Sequence, residues 1–102
     1  MKIIKIIVNQ IEEELEGAED YIYMAIAQKE HYPALSKTVY EISLDEMHHV
    51  EMLHGIVVNM IEEHRRTKGE PPKEMMDIYE FMHEKHIKLA TKIKLMQSEY
   101  KK

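Results

Sequence analysis

The sequence contains no cysteine and no tryptophan, and only three glycines and three prolines among its 102 residues. Without cysteine, the chain can form neither disulfides nor the thiolate sites that hold structural zinc or rubredoxin-type iron. This absence is typical of proteins that work in a reducing cytoplasm, which is where we expect this one. Because glycine and proline interrupt helices, their scarcity favours long helices joined by few turns.

The chain also lacks an excess of positive charge and any long apolar run. Its formal net charge is −5 with the histidines neutral, which argues against nucleic acid and against anionic membranes as partners. No apolar segment approaches the roughly 20 residues that a membrane-spanning helix needs. The length suits one compact domain, so we predict a single domain over residues 1–102.

The few helix-breaking residues divide the chain into three long segments. Pro33 and the segment 69–72 are the strong interruptions, so we predict helices over about 3–30, 33–64 and 73–100. Inward-facing positions recur in alternating steps of three and four along all three segments, as in helices that pack side by side. In the first segment they are Ile4, Ile7, Ile11, Glu14, Ala18, Tyr21 and Ala25. In the second they are Leu35, Val39, Ile42, Glu46, His49, Leu53, Ile56 and Met60. The predicted fold class is all-α, with an antiparallel hairpin of the first two helices followed by a third long helix.

The most informative motif is LDEMHHVEMLH at residues 44–54, which holds three carboxylates, each followed by a histidine three residues later. Such a pair places both side chains on one face of a helix, where they can hold one metal ion. Only Glu46 and His49 fall in phase with the apolar stripe that we predict to face inward. Asp45 and His48 are rotated from that stripe by about 100° and are expected to be solvated.

Histidines outside this phase have simpler predicted roles. Glu51 with His54, and Glu80 with His83 in the third segment, fall beside the predicted stripes, so both pairs are expected at the surface. His86 lies on the stripe of the third segment. We interpret it as a core histidine whose hydrogen bonds are satisfied.

A second irregularity lies in the first segment, where Glu14 occupies a stripe position at which an apolar residue is due. A buried ionised carboxylate costs several kcal/mol unless a cation or a strong donor offsets it. Glu14, Glu46 and His49 at one level of the hairpin therefore predict a bound cation. Oxygen and imidazole donors together favour iron, manganese or zinc over calcium or magnesium. The alternative is a buried ion pair or polar layer that fixes the helix register.

These residues resemble the ferritin-like superfamily, and within it the encapsulated ferritins and the helix pairs of rubrerythrins. The shared features are EELE at Glu13–Glu16, YIYMA at Tyr21–Ala25, Pro33 at the start of the second helix and DEMHH at Asp45–His49. The resemblance covers about residues 10–58. In this superfamily an iron site takes a Glu from one helix and Glu-x-x-His from the next, twice over.

The resemblance implies a role for each acidic residue. Glu14 matches a terminal glutamate ligand, Glu46 the bridging glutamate and His49 the terminal imidazole, so these three are the predicted metal-binding and catalytic residues. Glu13 and Glu16 match an acidic pair through which metal enters the site of encapsulated ferritins. An ungapped count back from Glu46 selects Glu16 as the first-helix ligand, whereas helix phase favours Glu14.

One chain supplies a single set of one Glu and one Glu-x-x-His, and a complete di-metal centre needs two sets. We therefore predict a homodimer in which two hairpins form a ferritin-like four-helix bundle and bind two irons between them. Tyr21, two turns from Glu14, is a candidate to support the site through its hydroxyl. The resemblance implies a ring-like homo-oligomer working with an encapsulin shell in iron storage, although the tail EYKK shows no docking peptide.

Three functions are consistent with these residues. The first, which we favour, is a ferroxidase that oxidises Fe(II) to Fe(III) at the shared site. The second is a rubrerythrin-like peroxide reductase, whose electron donor must be a separate protein because the chain has no cysteine. The third is a non-catalytic helical oligomerisation module whose Glu/His layer is only structural.

Overall fold

The computed structural model describes residues 2–102, which form three α-helices and no β-strand. α1 spans Lys2–Gln28, α2 spans Pro33–Lys68 and α3 spans Lys73–Lys101. The all-helical fold class and the three helices are thus confirmed. The molecule measures 55 × 19 × 18 Å along its principal axes, and its long dimension matches the 36 residues of α2 at about 1.5 Å per residue. None of the helices described is both long and apolar enough to cross a membrane.

The helix ends follow the local sequence closely. α2 begins at Pro33, whose missing N–H would have no partner in the first turn. It extends four residues beyond the predicted end at His64 and stops at Gly69, where φ is 85°. Arg65, Arg66 and Lys68 lie in this additional turn. Their positive charges stabilise it because the carboxyl end of a helix carries partial negative charge.

Small side chains hold α1 and α2 together as an antiparallel pair. Ser43 Oγ donates a hydrogen bond to the carbonyl oxygen of Ala18 at 2.7 Å, and Ser36 Oγ donates to that of Ala25 at 2.6 Å. All four residues are fully buried. Moving back seven residues along α2 corresponds to moving forward seven along α1, so the helices run in opposite directions and in a fixed register. These bonds also bring the two backbones close together.

The buried stripe of α2 differs from the predicted one by one residue. The predicted inward positions Leu35 and Ile56 are each 46% exposed, whereas the residues that follow them, Ser36 and Val57, are fully buried. The buried set is Ser36, Val39, Tyr40, Ser43, Met47, Val50, Val57 and Ile61. Successive residues lie about 100° apart around a helix. The prediction of which face is buried was therefore wrong for much of α2.

The same shift occurs in part of α1, and its cause is the position of α3. Ile7, Glu14 and Tyr21 are half-buried, while the buried residues are Ile4, Val8, Ile11, Leu15, Ala18, Ile22 and Ala25. Apolar residues occupy adjacent positions in several turns of both helices, and α3 covers only the second of the two. The first residue of each adjacent pair therefore stays accessible to solvent in the single chain.

α3 is attached to the hairpin by a few buried residues and several polar contacts. Ile93 is fully buried in the main core, and Gln97 Nε2 donates to Ser43 Oγ at 2.9 Å. Near the end of α3, the Tyr100 hydroxyl lies 2.8 Å from Ser36 Oγ. The two serines that bond α1 thus also contact α3, and they tie all three helices at two levels.

Candidate metal centre

The structure brings Glu14, Glu46 and His49 together. Each offers a ligand atom, and these atoms all lie within 4.8 Å of one another. No other three acidic or histidine side chains in residues 2–102 converge in this way. Between the two alternatives for α1, Glu14 faces the Glu-x-x-His pair, whereas Glu16 is exposed and does not join the group.

The hairpin register places this group about one turn from the bond between Ser43 and Ala18. His49 Nδ1 lies 3.3 Å from Glu14 Oε2. The His49 side chain is 51% exposed and that of Glu14 is 26% exposed, and Glu46 is half-buried. The three side chains therefore form a site that is open on one side, on the part of the hairpin that α3 leaves uncovered.

The two carboxyl groups lie close enough to change each other's pKa. The hydrogen bond between Glu14 and Glu46 raises the pKa of Glu46 to about 7, and partial burial and the negative charge of Glu14 add to the increase. The same hydrogen bond, together with His49, lowers the pKa of Glu14. Two close carboxyls cannot both ionise easily without a cation. Since a metal ion would displace the proton on Glu46, its binding becomes tighter as the pH rises through about 7.

Gly17 makes room for the Glu46 carboxylate. A Cβ atom at Gly17 would lie 3.2 Å from Glu46 Oε2 and 3.6 Å from its carboxyl carbon. Gly17 follows Glu14 by three residues, so it lies on nearly the same face of α1. Gly17 was not among the residues predicted for the site. The available signal was an isolated glycine inside a helix, one turn from a candidate ligand, where a packing or functional reason is usual.

We expect Gly17→Ala to weaken metal binding without weakening the fold. Alanine favours a helix over glycine by up to about 1 kcal/mol, while its methyl group pushes the Glu46 carboxylate away from its present position. Gly55→Ala is the matched control, because no atom of the described chain lies within 4 Å of a Cβ built at Gly55. Calorimetric titration with Mn(II) and thermal melting of both metal-free variants test this. Equal metal affinities in the two variants would contradict it.

The remaining predicted site residues lie outside the group. Glu13 and Glu16 are exposed on α1, so their role in metal entering the site stays a prediction. Tyr21 is half-buried and packs against the core cluster that contains Ile22 and Ala25. Its proposed support of the site likewise stays a prediction.

Two predictions about the other histidines were wrong. His54 and His83 are half-buried instead of solvated, because α2 and α3 pack their rings in a stack with centroids 4.8 Å apart. His86 is buried as predicted, but its Nε2 has no hydrogen-bond partner in residues 2–102. Its one polar contact is long: Glu12 Oε1 lies 3.5 Å away and accepts a shorter hydrogen bond from Lys85 at 2.9 Å.

No protein-family model, curated protein or solved structure matches this chain. Its function is therefore inferred from its own residues and their geometry.

Proposed function

We propose that this protein binds iron and oxidises Fe(II) to Fe(III) at a di-iron site formed between two copies of the chain. The observation that carries the proposal is the convergence of Glu14, Glu46 and His49 within 4.8 Å. Carboxylate oxygens with one imidazole suit iron, and manganese or zinc are the alternatives. The raised pKa of Glu46 and the space for its carboxylate beside Gly17 are also consistent with a cation-binding position.

The surface around the site has properties that favour the binding of a partner chain. Apolar residues that are exposed or half-buried recur in steps of three, four or seven along the uncovered side of α1 and α2, and Glu14, Glu46 and His49 occupy positions in the same series. We call it the open strip: Ile7, Tyr21, Met24, Leu35, Ile42, Leu53, Ile56 and Met60. An apolar surface of this kind marks an interaction site.

A second copy is the partner that also completes the ligand set. A two-fold axis through the open strip would face the three ligands with the same three from the partner. The result is one Glu from each of two helices and Glu-x-x-His from each of the other two, arranged in a four-helix bundle. In this arrangement α3 of each chain lies on the outside.

The donor set favours oxidation of the bound ion. Anionic carboxylates stabilise Fe(III) relative to Fe(II), and two neighbouring Fe(II) ions give up two electrons in total. With two protons, these electrons reduce one O₂ to hydrogen peroxide, so that no one-electron oxygen radical is released. Fe(II) is thus the substrate and Fe(III) the product.

A structural polar layer is the second candidate function, because the three groups already interact without a metal. Glu14 pairs with His49 at 3.3 Å, and its carboxyl group and that of Glu46 change each other's pKa. In this case the Glu/His layer would only set the register between chains.

An anaerobic Fe(II) titration, with light scattering of the same sample, tests the proposal. We expect a dimer that binds about one iron per chain and consumes O₂ when air is admitted, with Glu and His ligand distances of about 2.0–2.2 Å in a metal-soaked structure. A monomer with a full complement of iron would refute the shared site. Faster oxidation by peroxide, with turnover by an external reductant, would indicate a peroxide reductase. If the dimer binds no metal and the double variant Glu14→Leu with His49→Leu is more stable than the parent dimer, the polar layer is favoured instead.

A further inference from the structure

A cavity of about 190 Å³ lies between the three helices, on the side of the hairpin that α3 covers. Val8 and Ile11 of α1, Val50 of α2 and Ala90 of α3 form its apolar wall. An engineered apolar cavity of about 150 Å³ holds one benzene molecule. The space is therefore large enough for a single substituted ring.

The rest of the wall consists of rings. Tyr79, His83 and His54 form a continuous stack, with centroid separations of 5.6 and 4.8 Å and interplanar angles of 8° and 12°. All three residues line the cavity, and His86 does so as well. Flat rings of this kind favour a planar ligand, because aromatic groups pack best in offset stacks or edge to face.

Two of the histidines that line this cavity have buried nitrogens that are poorly paired. His54 Nε2 has no hydrogen-bond partner in the described chain. His86, only 7% exposed, has just one long contact from its Nε2, to Glu12 Oε1 at 3.5 Å. Buried polar groups are nearly always paired, so each such group in a structure calls for an explanation. Desolvation lowers the pKa of both histidines, which keeps them neutral at neutral pH.

The charges around the cavity exclude an anionic ligand. Glu51 lies at its wall, and Glu12 lies 3.5 Å from His86 Nε2. The nearest cation, Lys85, is already paired with Glu12. A transition metal also fits poorly, because His54, His83 and His86 do not bring three ligand atoms together.

We propose that this cavity binds a neutral single-ring phenol, whose ring lies against the stack and whose hydroxyl pairs with a buried imidazole. A phenol hydroxyl both donates and accepts a hydrogen bond, so it suits either tautomer of the histidine. The ligand would contact all three helices and strengthen the attachment of α3. This site is separate from the proposed iron site and does not depend on the iron chemistry.

The test measures binding of 4-methylphenol, 1,4-dimethylbenzene and toluene to the intact protein, using the NMR signals of the histidine rings. We expect 4-methylphenol to shift the His54 and His86 signals and to bind at least about tenfold more tightly than 1,4-dimethylbenzene or toluene, which leave the nitrogens unpaired. Ala90→Leu fills the cavity and should abolish binding while the protein stays folded. Glu46→Gln should leave phenol binding unchanged.

Several results would overturn the proposal. Equal affinity for the phenol and the hydrocarbons would show only an apolar void. Unchanged phenol binding by Ala90→Leu would place the ligand elsewhere. If Ala90→Leu does not fold, His86→Phe provides the second test, because it keeps a flat ring but removes the nitrogen. Absence of any shift at millimolar phenol, or a shift produced by Zn(II) instead, would also refute the site.

Discussion

Glu46→Gln is expected to abolish iron binding and, with it, the oxidation of Fe(II). Glu46 contacts both other members of the site, and glutamine offers no negative charge to a cation. Changes to groups that merely hold metal ligands cost about 10–100-fold in affinity. Loss of a ligand that occurs twice in the dimer should therefore exceed about 100-fold. Calorimetry with Fe(II) under anaerobic conditions, followed by O₂ consumption, measures both effects.

The same variant should fold as well as the parent chain. Since Glu14 raises the pKa of Glu46 to about 7, the Glu46 carboxyl takes up a proton near neutral pH in the metal-free protein, and the amide of glutamine resembles that protonated form. The amide can donate to Glu14 as the carboxyl does. Glu41→Gln is the control, because it makes the same charge change at an exposed position of α2. Iron binding by Glu46→Gln equal to that of the control would rule out the site.

Ile56→Glu should convert the dimer to a monomer and remove metal binding at the same time. Ile56 lies on the open strip, one heptad after His49, and is 46% exposed in the single chain. A two-fold axis would bury two new carboxylates at the interface, and each unpaired buried charge costs several kcal/mol. We expect dimerisation to weaken at least about 100-fold. Analytical ultracentrifugation and the metal content of the separated species measure the two losses.

Ile78→Glu is the control that separates loss of the dimer interface from a general effect of adding a carboxylate to the surface. Ile78 is 65% exposed on α3 and lies outside the open strip, so the same substitution there should leave the dimer and its metal intact. A dimer that survives Ile56→Glu with full metal content would show that the chains meet through another surface.

The sequence was sufficient to predict the helices and the grouping of the three site residues. Sparse glycine and proline marked the ends of the helices, and helix phase selected Glu46 and His49 from three similar pairs, although the face on which they lie is partly open instead of buried as predicted. Phase also favoured Glu14 over Glu16, which is the arrangement in the structure. These features depend on spacing within one helix or across one short turn.

The sequence was not sufficient to predict features that depend on which helix packs against which. In α1 and α2, adjacent apolar positions give two neighbouring stripes, and the packing of α1 on α2 together with the docking of α3 determines which one a single chain buries. The same reason explains the unexpected stack of His54 on His83. Gly17 was missed because the Glu46 side chain that approaches it comes from another helix.

The proton that Glu46 takes up also has a consequence for assembly. If two copies pair as proposed, four carboxylates meet near one axis, and four negative charges there would repel. Proton uptake by Glu46, whose pKa is raised to about 7, reduces that charge, so the chains could associate before any iron is present. In the metal-free protein, this proton thus neutralises part of the charge that a bound metal ion would neutralise. Loading the site with iron would then release acid into the surrounding solution, with no change in how the chains are paired.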